Sequence, residues 1–307
     1  MPDIAIWNQC NNHCTMCTNP KDYQLKRNSV EYSFENIISR WINTKLKREE
    51  SICLTGGEPT IHVDFFKILH WFRKRYPKNT IAIASNGRLF YYENFSRKVL
   101  KNNNLILEIA VHGYNAKTHD AVTRVKGSFD QTVKGIHNIL KYKNDSQSLE
   151  IRIIITKLTY KNLDKILEFL IREFDVRLIR DVVLIFMEME GQAQDNFKVV
   201  GLSYSQINWK LSQIAEKWSK SFNDFRLYHF PLCVLLPELW PYAWRTLRGE
   251  EVSFVKACNK CKVKKYCMGV HRDYLRLVGE KEFKPVEKVC VKPSNFEYKP
   301  VEEAHNL

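Results

Sequence analysis

Eight of the nine cysteines of this 307-residue chain sit toward its two ends. Cys10, Cys14 and Cys17 open it. Cys233, Cys258, Cys261, Cys267 and Cys290 fall in the last quarter, and Cys53 stands alone. No basic segment followed by an apolar stretch marks a secretory signal, and no run of about 18 apolar residues could span a membrane. The chain is therefore expected in the reducing cytoplasm, where clustered cysteines read as metal or iron–sulfur ligands rather than disulfides. The first group spells C-x3-C-x2-C. A cubane cluster has four irons, and three closely spaced thiolates on one loop hold three of them. The fourth iron is then open to a substrate or cofactor. A structural zinc site, with His13 as the fourth ligand, is the competing chemistry, but such sites are usually closed by C-x2-C pairs.

The elements around these residues follow from periodicity. Short β-rich apolar runs recur at 4–7, 51–55, 79–84, 105–111, 151–156 and 182–187. Between them lie amphipathic stretches at helical spacing, such as the one that places Ile37, Ile38, Trp41 and Ile42 on one face. Strands alternating with helices predict parallel βαβ units. Six units are too few for an eight-fold barrel and suit an open, partial (β/α)6 TIM-like barrel of the α/β class, with its site at the C-terminal strand ends. Cys10, Cys14 and Cys17 follow the first strand and so lie at that end. After about residue 200 the alternation stops. The expected domains are a core at 1–222 and a small cysteine-rich domain at 223–307. Cys53, inside the second strand, is expected to be a small core residue. The net charge of +14 fits a solvated basic surface or an acidic partner, either nucleic acid or peptide.

The loop CNNHCTMC resembles the signature of radical S-adenosylmethionine (SAM) enzymes, with Met16 in its hydrophobic position. In that family SAM chelates the fourth iron, and its reductive cleavage gives a 5′-deoxyadenosyl radical that abstracts hydrogen from substrate. The second strand ends in LTGGEPT, which resembles the family's GGEP motif and implies SAM contacts at Gly56, Gly57, Glu58 and Pro59. Two glycines permit a turn that side chains would block, and Glu58 with nearby carbonyls could accept from an ammonium. ASNGRLF resembles the third-strand motif and implies Ser85 and Asn86 as neighbours of SAM. The fourth-strand region, AVHGYNAKTHDAVTRVKGSFDQT, implies His112 near the ribose, where serine is common, and Arg124 near the carboxylate. Phe186 and Met187, ending the sixth strand, are expected either to line the adenine or to pack in the core.

Within such a chain, Cys258, Cys261 and Cys267 (C-x2-C-x5-C) resemble the auxiliary-cluster domains called SPASM and twitch, with a zinc ribbon as the alternative. His271 stands where the full pattern continues with cysteine, so one auxiliary [4Fe–4S] cluster is expected rather than two. Its fourth ligand is Cys233 or Cys290, with Cys233 favoured. The stretch HFPLCVLLPELWPYA is similar to the maturases of His-Xaa-Ser peptide systems. The resemblance implies an enzyme that modifies a ribosomally made peptide, with an external electron donor. Because Cys10 lies so near the start, peptide recognition is expected at the barrel mouth, in the tail or on a separate partner protein. A small-molecule or nucleotide substrate is the alternative. A non-catalytic, metal-binding nucleic-acid-binding protein is the reading from another class, and it leaves the GGEP turn unexplained.

Overall fold

The computed structural model describes residues 3–25 and 30–306; the remaining seven positions, which fall inside the expected domains, lie outside the described residues. Eight parallel strands form one sheet in sequence order. They are β1 (Asp3–Trp7), β2 (Ile52–Gly56), β3 (Ile81–Ser85), β4 (Leu105–Ala110), β5 (Gln147–Ile155), β6 (Asp181–Phe186), β7 (Phe225–Tyr228) and β8 (Ala243–Trp244). Six were expected. The two extra strands have four and two residues, too short to display alternation. They carry the sheet past the expected boundary at 222/223, because β7 pairs with β6 and β8 with β7.

The connections are α1 (Lys21–Leu25) and α2 (Phe34–Trp41), then α3 (Phe65–Arg75), α4 (Glu93–Val99), α5 (Ala116–Thr123), α6 (Ser128–Tyr142), α7 (Leu163–Glu173), α8 (Gly191–Asp195), α9 (Phe197–Val200) and α10 (Asn208–Trp218). In α2, Ile37 and Ile38 are buried, but the helix ends at Trp41 and leaves Ile42 exposed. After β8 come a small antiparallel pair, β9 (Val252–Ser253) with β10 (Val270–His271), helix α11 (Arg272–Leu277), and a hairpin of β11 (Val289–Pro293) and β12 (Val301–Asn306).

The period-2 alternation of the strands sorts their side chains into two environments. Ile4, Ile6, Leu54, Ile83, Leu107, Ile153 and Leu184 join the core cluster shared with helical residues such as Ile68 and Leu167. The interleaved residues Val183, Ile185 and Tyr228 form a separate cluster with Ile154 and Trp244 inside the curve of the sheet. Deeper in that lumen lies an ion-pair ladder. Arg152 bridges Glu108 at 2.8 Å and Glu150 at 2.6 Å; Arg180 meets Glu150 at 2.9 Å and also Asp181, which meets Arg226 at 2.9 Å. Cys53 is buried as expected, but its thiol donates to Glu108 at 3.6 Å.

Candidate functional site

The cysteine loop leaves β1 and is fastened at once to the turn after β2. Gly57 N–H donates to the Trp7 carbonyl at 2.7 Å, and Glu58 N–H to the Gln9 carbonyl at 2.8 Å. The approach requires glycine. Gly56 has φ of +139°, and a Cβ there would lie 2.1 Å from the Trp7 oxygen. The far side of the loop rests on α5, with His13 and Thr15 N–H donating to the carbonyls of Thr123 and Val122. The segment after β6 closes over it. Ala193 N–H donates to the Cys17 carbonyl, Asn196 Nδ2 to the Thr15 carbonyl, and Gly191, at φ +53°, packs so tightly that a Cβ would lie 2.1 Å from the Thr18 oxygen.

Glu58 is only 1 % exposed. Its carboxylate accepts from Thr60 N–H and Oγ, from Ser85 Oγ at 2.8 Å and from Asn86 N–H at 2.7 Å. The acceptor imagined for a SAM ammonium is thus engaged by its own chain, and the carboxylate ties the β2 turn to the β3 turn. Pro59 is buried at the start of a short turn of helix. Asn86 Nδ2 reaches Asn11 Oδ1 at 2.6 Å and points toward Cys10 Sγ at 3.9 Å. Arg88, which sequence reasoning missed, joins the loop to α6. It donates to the Asn11 carbonyl, to Asn12 Oδ1 at 2.9 Å and to Gln131 Oε1 at 2.6 Å.

Two residues after β4, His112 is 5 % exposed and its Nδ1 has no partner among the described residues. Its N–H donates to His119 Nδ1 at 3.2 Å. Arg124 is the exposed, left-handed cap of α5. Met187 is buried behind the end of β6. His13 is exposed, so zinc closure by its side chain gains no support.

The three thiols act on one another electrostatically. Burial, then Glu58 and Cys17, pushes Cys10 up to about 12, and burial with Cys10 and Cys17 raises Cys14 as well. Three mutually repelling, desolvated thiols favour protonation unless a cation replaces the protons. Asn12 N–H already donates to Cys10 Sγ at 3.3 Å, the kind of outer contact that supports a metal-bound thiolate. The donor set, the glycine-built turn and the orphaned His112 nitrogen fit a cubane with a polar cofactor beside it.

Cys233, Cys258, Cys261 and Cys267 line one small pocket, together with Ala257, Val263 and Phe283. Burial and the other three thiols push Cys233 up to about 12. Backbone N–H groups already point at the sulfurs: Leu232 and Gly269 donate to Cys267 at 3.4 Å, and Val286 to Cys261 at 3.5 Å. Cys290 is exposed on the β11–β12 hairpin and is not among the cavity's lining residues.

The mouth also carries groups that no sequence motif announced. His229 follows β7, with Glu188 3.5 Å away. His271 Nε2 lies 3.3 Å from Glu190, while its Nδ1 accepts from Asp273 N–H. That acceptor role puts the ring proton on Nε2. The ligand atoms of Glu190, His271 and Asp273 lie within 4.8 Å of one another.

Known proteins place this geometry. A GTP 3′,8-cyclase of Petrotoga mobilis is 28% identical over 140 residues, which cover 45% of this chain and 42% of that protein. The chain therefore spans less than half the length of that relative. A probable GTP 3′,8-cyclase of Thermoplasma volcanium is 24% identical over 286 residues, covering 92% of this chain and 78% of that one. Among solved structures, Streptococcus suis SuiB bound to its precursor peptide SuiA aligns with a TM-score of 0.56 at 16% identity, over 73% of this chain and 48% of that one, a likeness of fold. The model of the radical SAM superfamily matches residues 4–170. Because that match takes in more than half of the chain, including the cysteine loop and the turn clamped to it, the chain belongs to the radical SAM superfamily, enzymes that use a [4Fe–4S] cluster and SAM.

Proposed function

We propose that Cys10, Cys14 and Cys17 hold the SAM-binding cluster and that Cys233, Cys258, Cys261 and Cys267 hold one auxiliary cluster. The proposed substrate is a ribosomally made peptide. Bound SAM supplies the hydrogen-abstracting radical; the chain's residues position and shield it. The backbone of the Gly56–Pro59 turn, with Ser85, Asn86 and His112, would hold SAM beside the first cluster; Met187 is buried after β6, and Arg124 is the exposed cap of α5.

The observation that carries the reading is the closure of the second cavity by four thiols. A metal centre with a full set of protein ligands keeps no position for substrate. Such a centre suits electron exchange with a substrate held elsewhere, in the mouth of the partial barrel. A sheet open between β1 and β8 leaves room there for an extended chain. SuiB, whose fold this chain shares, is bound to a precursor peptide. The nucleotide alternative draws on the names of the GTP 3′,8-cyclases. The non-catalytic reading is set aside by membership of an enzyme superfamily. Among the described residues no helix is long and apolar enough to cross a membrane.

The test is anaerobic incubation of reconstituted enzyme with SAM, dithionite and either GTP or synthetic peptides translated from short reading frames beside its gene. The peptide reading expects faster 5′-deoxyadenosine release and a changed peptide mass. Turnover of GTP alone would replace it with the cyclase reading.

A further inference from the structure

His229 sits where barrel chemistry is done, one residue past the C-terminal end of β7. Its backbone is left-handed, with φ of 69°. Such conformations in residues with a side chain gather at functional sites. The backbone is held there by Tyr204, whose hydroxyl donates to the His229 carbonyl at 2.8 Å. Tyr204 is itself stacked on Phe186, with ring centroids 4.0 Å apart.

The ring is held as firmly. His229 Nδ1 lies 3.0 Å from the Phe186 carbonyl. A carbonyl can only accept, so Nδ1 carries the proton and Nε2 keeps its lone pair. Glu188 Oε1, 3.5 Å from the same Nδ1, stands behind the ring. Among the described residues the ring's hydrogen bond is made by Nδ1 alone. The side chain is 11 % exposed. The buried ring is held near a pKa of about 4, mainly by desolvation, against the raising effect of the Phe186 carbonyl. The other charged groups acting on it are His271 and Arg152, which favour the neutral ring, and Glu251, which opposes them. Glu188 lies three residues before Gly191, which touches the cysteine loop, so His229 and that loop face one mouth.

We propose that His229 is the substrate-facing base of the barrel mouth, its Nε2 accepting a hydrogen bond from, and then the proton of, an N–H or O–H group of the substrate. The substrate X–H bond breaks, Nε2–H forms, the electron pair stays on X, and the imidazolium is met by Glu188. The step needs no oxidant and is separate from the hydrogen-atom abstraction. It rests on the reading that substrate enters at this mouth.

Two measurements on reconstituted holoenzyme test it. Diethyl pyrocarbonate near neutral pH, followed by peptide mapping, should label His229 and spare the sealed His112 and His119. An unlabelled His229 overturns the proposal whatever the substrate. Asn and Gly both tolerate the left-handed backbone, so His229→Asn and His229→Gly should keep full iron content and unstimulated 5′-deoxyadenosine release. They should lose on the order of a hundredfold of the release stimulated by GTP or by the synthetic peptides, whichever stimulates the parent enzyme. Retention of stimulated release by either variant would reduce His229 to a backbone bend and sink the idea. If neither GTP nor peptide stimulates the parent enzyme, the substrate reading fails instead, and labelling alone decides the accessibility of Nε2.

Discussion

Single side chains decide how firmly each centre is held. Cys233 reaches the cavity of Cys258, Cys261 and Cys267, whereas Cys290 lies on an exposed hairpin. With two cubanes, anaerobically reconstituted protein should carry about eight irons. Cys233→Ala should lose auxiliary iron and move the spectrum toward a three-iron form, with Cys290→Ala unchanged; the opposite ranking in iron and electron-spin measurements would move the ligand to Cys290. Arg88 makes no expected contact with a cluster, yet it ties Asn11 and Asn12 to Gln131. Arg88→Ala should therefore weaken SAM binding and iron retention by about 10- to 100-fold, the usual cost of losing an outer contact of a metal site. Wild-type SAM affinity and iron content in that variant would show that the loop holds itself. The cysteines were legible in the sequence because their chemistry is confined to few residue types at fixed spacings. Arg88 and His229 were not, since nothing in an isolated arginine or histidine distinguishes a bridging or strained position from a surface one.

At the scale of elements, β1 to β6 were legible because each offers at least four apolar or β-branched residues between turn signals. β7 and β8 were hidden by brevity: FRLY and AW gain their strand character only from pairing with β6 and with each other. The β4–α5 junction carries a pH dependence that follows from its packing. Burial lowers His112 to about 3, with His119 adding to the effect. Burial likewise lowers His119 to about 4, with Asp120 opposing and Arg88 assisting. Both are neutral in the folded protein and titrate near 6.5 when unfolded. Below that value the unfolded chain binds protons that the folded one does not, so stability is full above about pH 6.5 and falls as the pH drops toward 4. The slope from each histidine approaches about 1.4 kcal/mol per pH unit. Urea unfolding between pH 6.5 and 5, with iron content checked at each step, should show this slope, and His119→Gln should remove about one proton's share. An unchanged slope in the variant would mean that His119 is hydrated in solution.

The whole molecule carries an excess of positive charge on its surface, yet it buries an ordered run of charges inside its barrel. The ladder from Glu108 through Arg152, Glu150 and Arg180 to Asp181 and Arg226 crosses four strands, β4 to β7, and fills a lumen that apolar residues fill only nearer the mouth. Its central member is Arg152, whose two carboxylate partners are 4 % and 2 % exposed. A buried ion pair contributes little over a well-packed apolar substitute, but breaking one leaves a charge with nowhere to go. Arg152→Met should therefore destabilise the fold by about 3–5 kcal/mol. Burial already lifts Glu108 to about 7 even with Arg152 opposing it. Without Arg152 the folded state must keep Glu108 protonated, and holding that proton costs more as pH rises above the carboxyl's unfolded value. The loss should accordingly be larger at pH 8 than at pH 6, and Arg152→Met combined with Glu108→Gln should recover part of it at pH 8. Denaturant unfolding of the single and double variants at the two pH values reads this directly. An equal loss at both, with no recovery in the double variant, would mean that packing around Arg152, rather than its charge, holds the lumen.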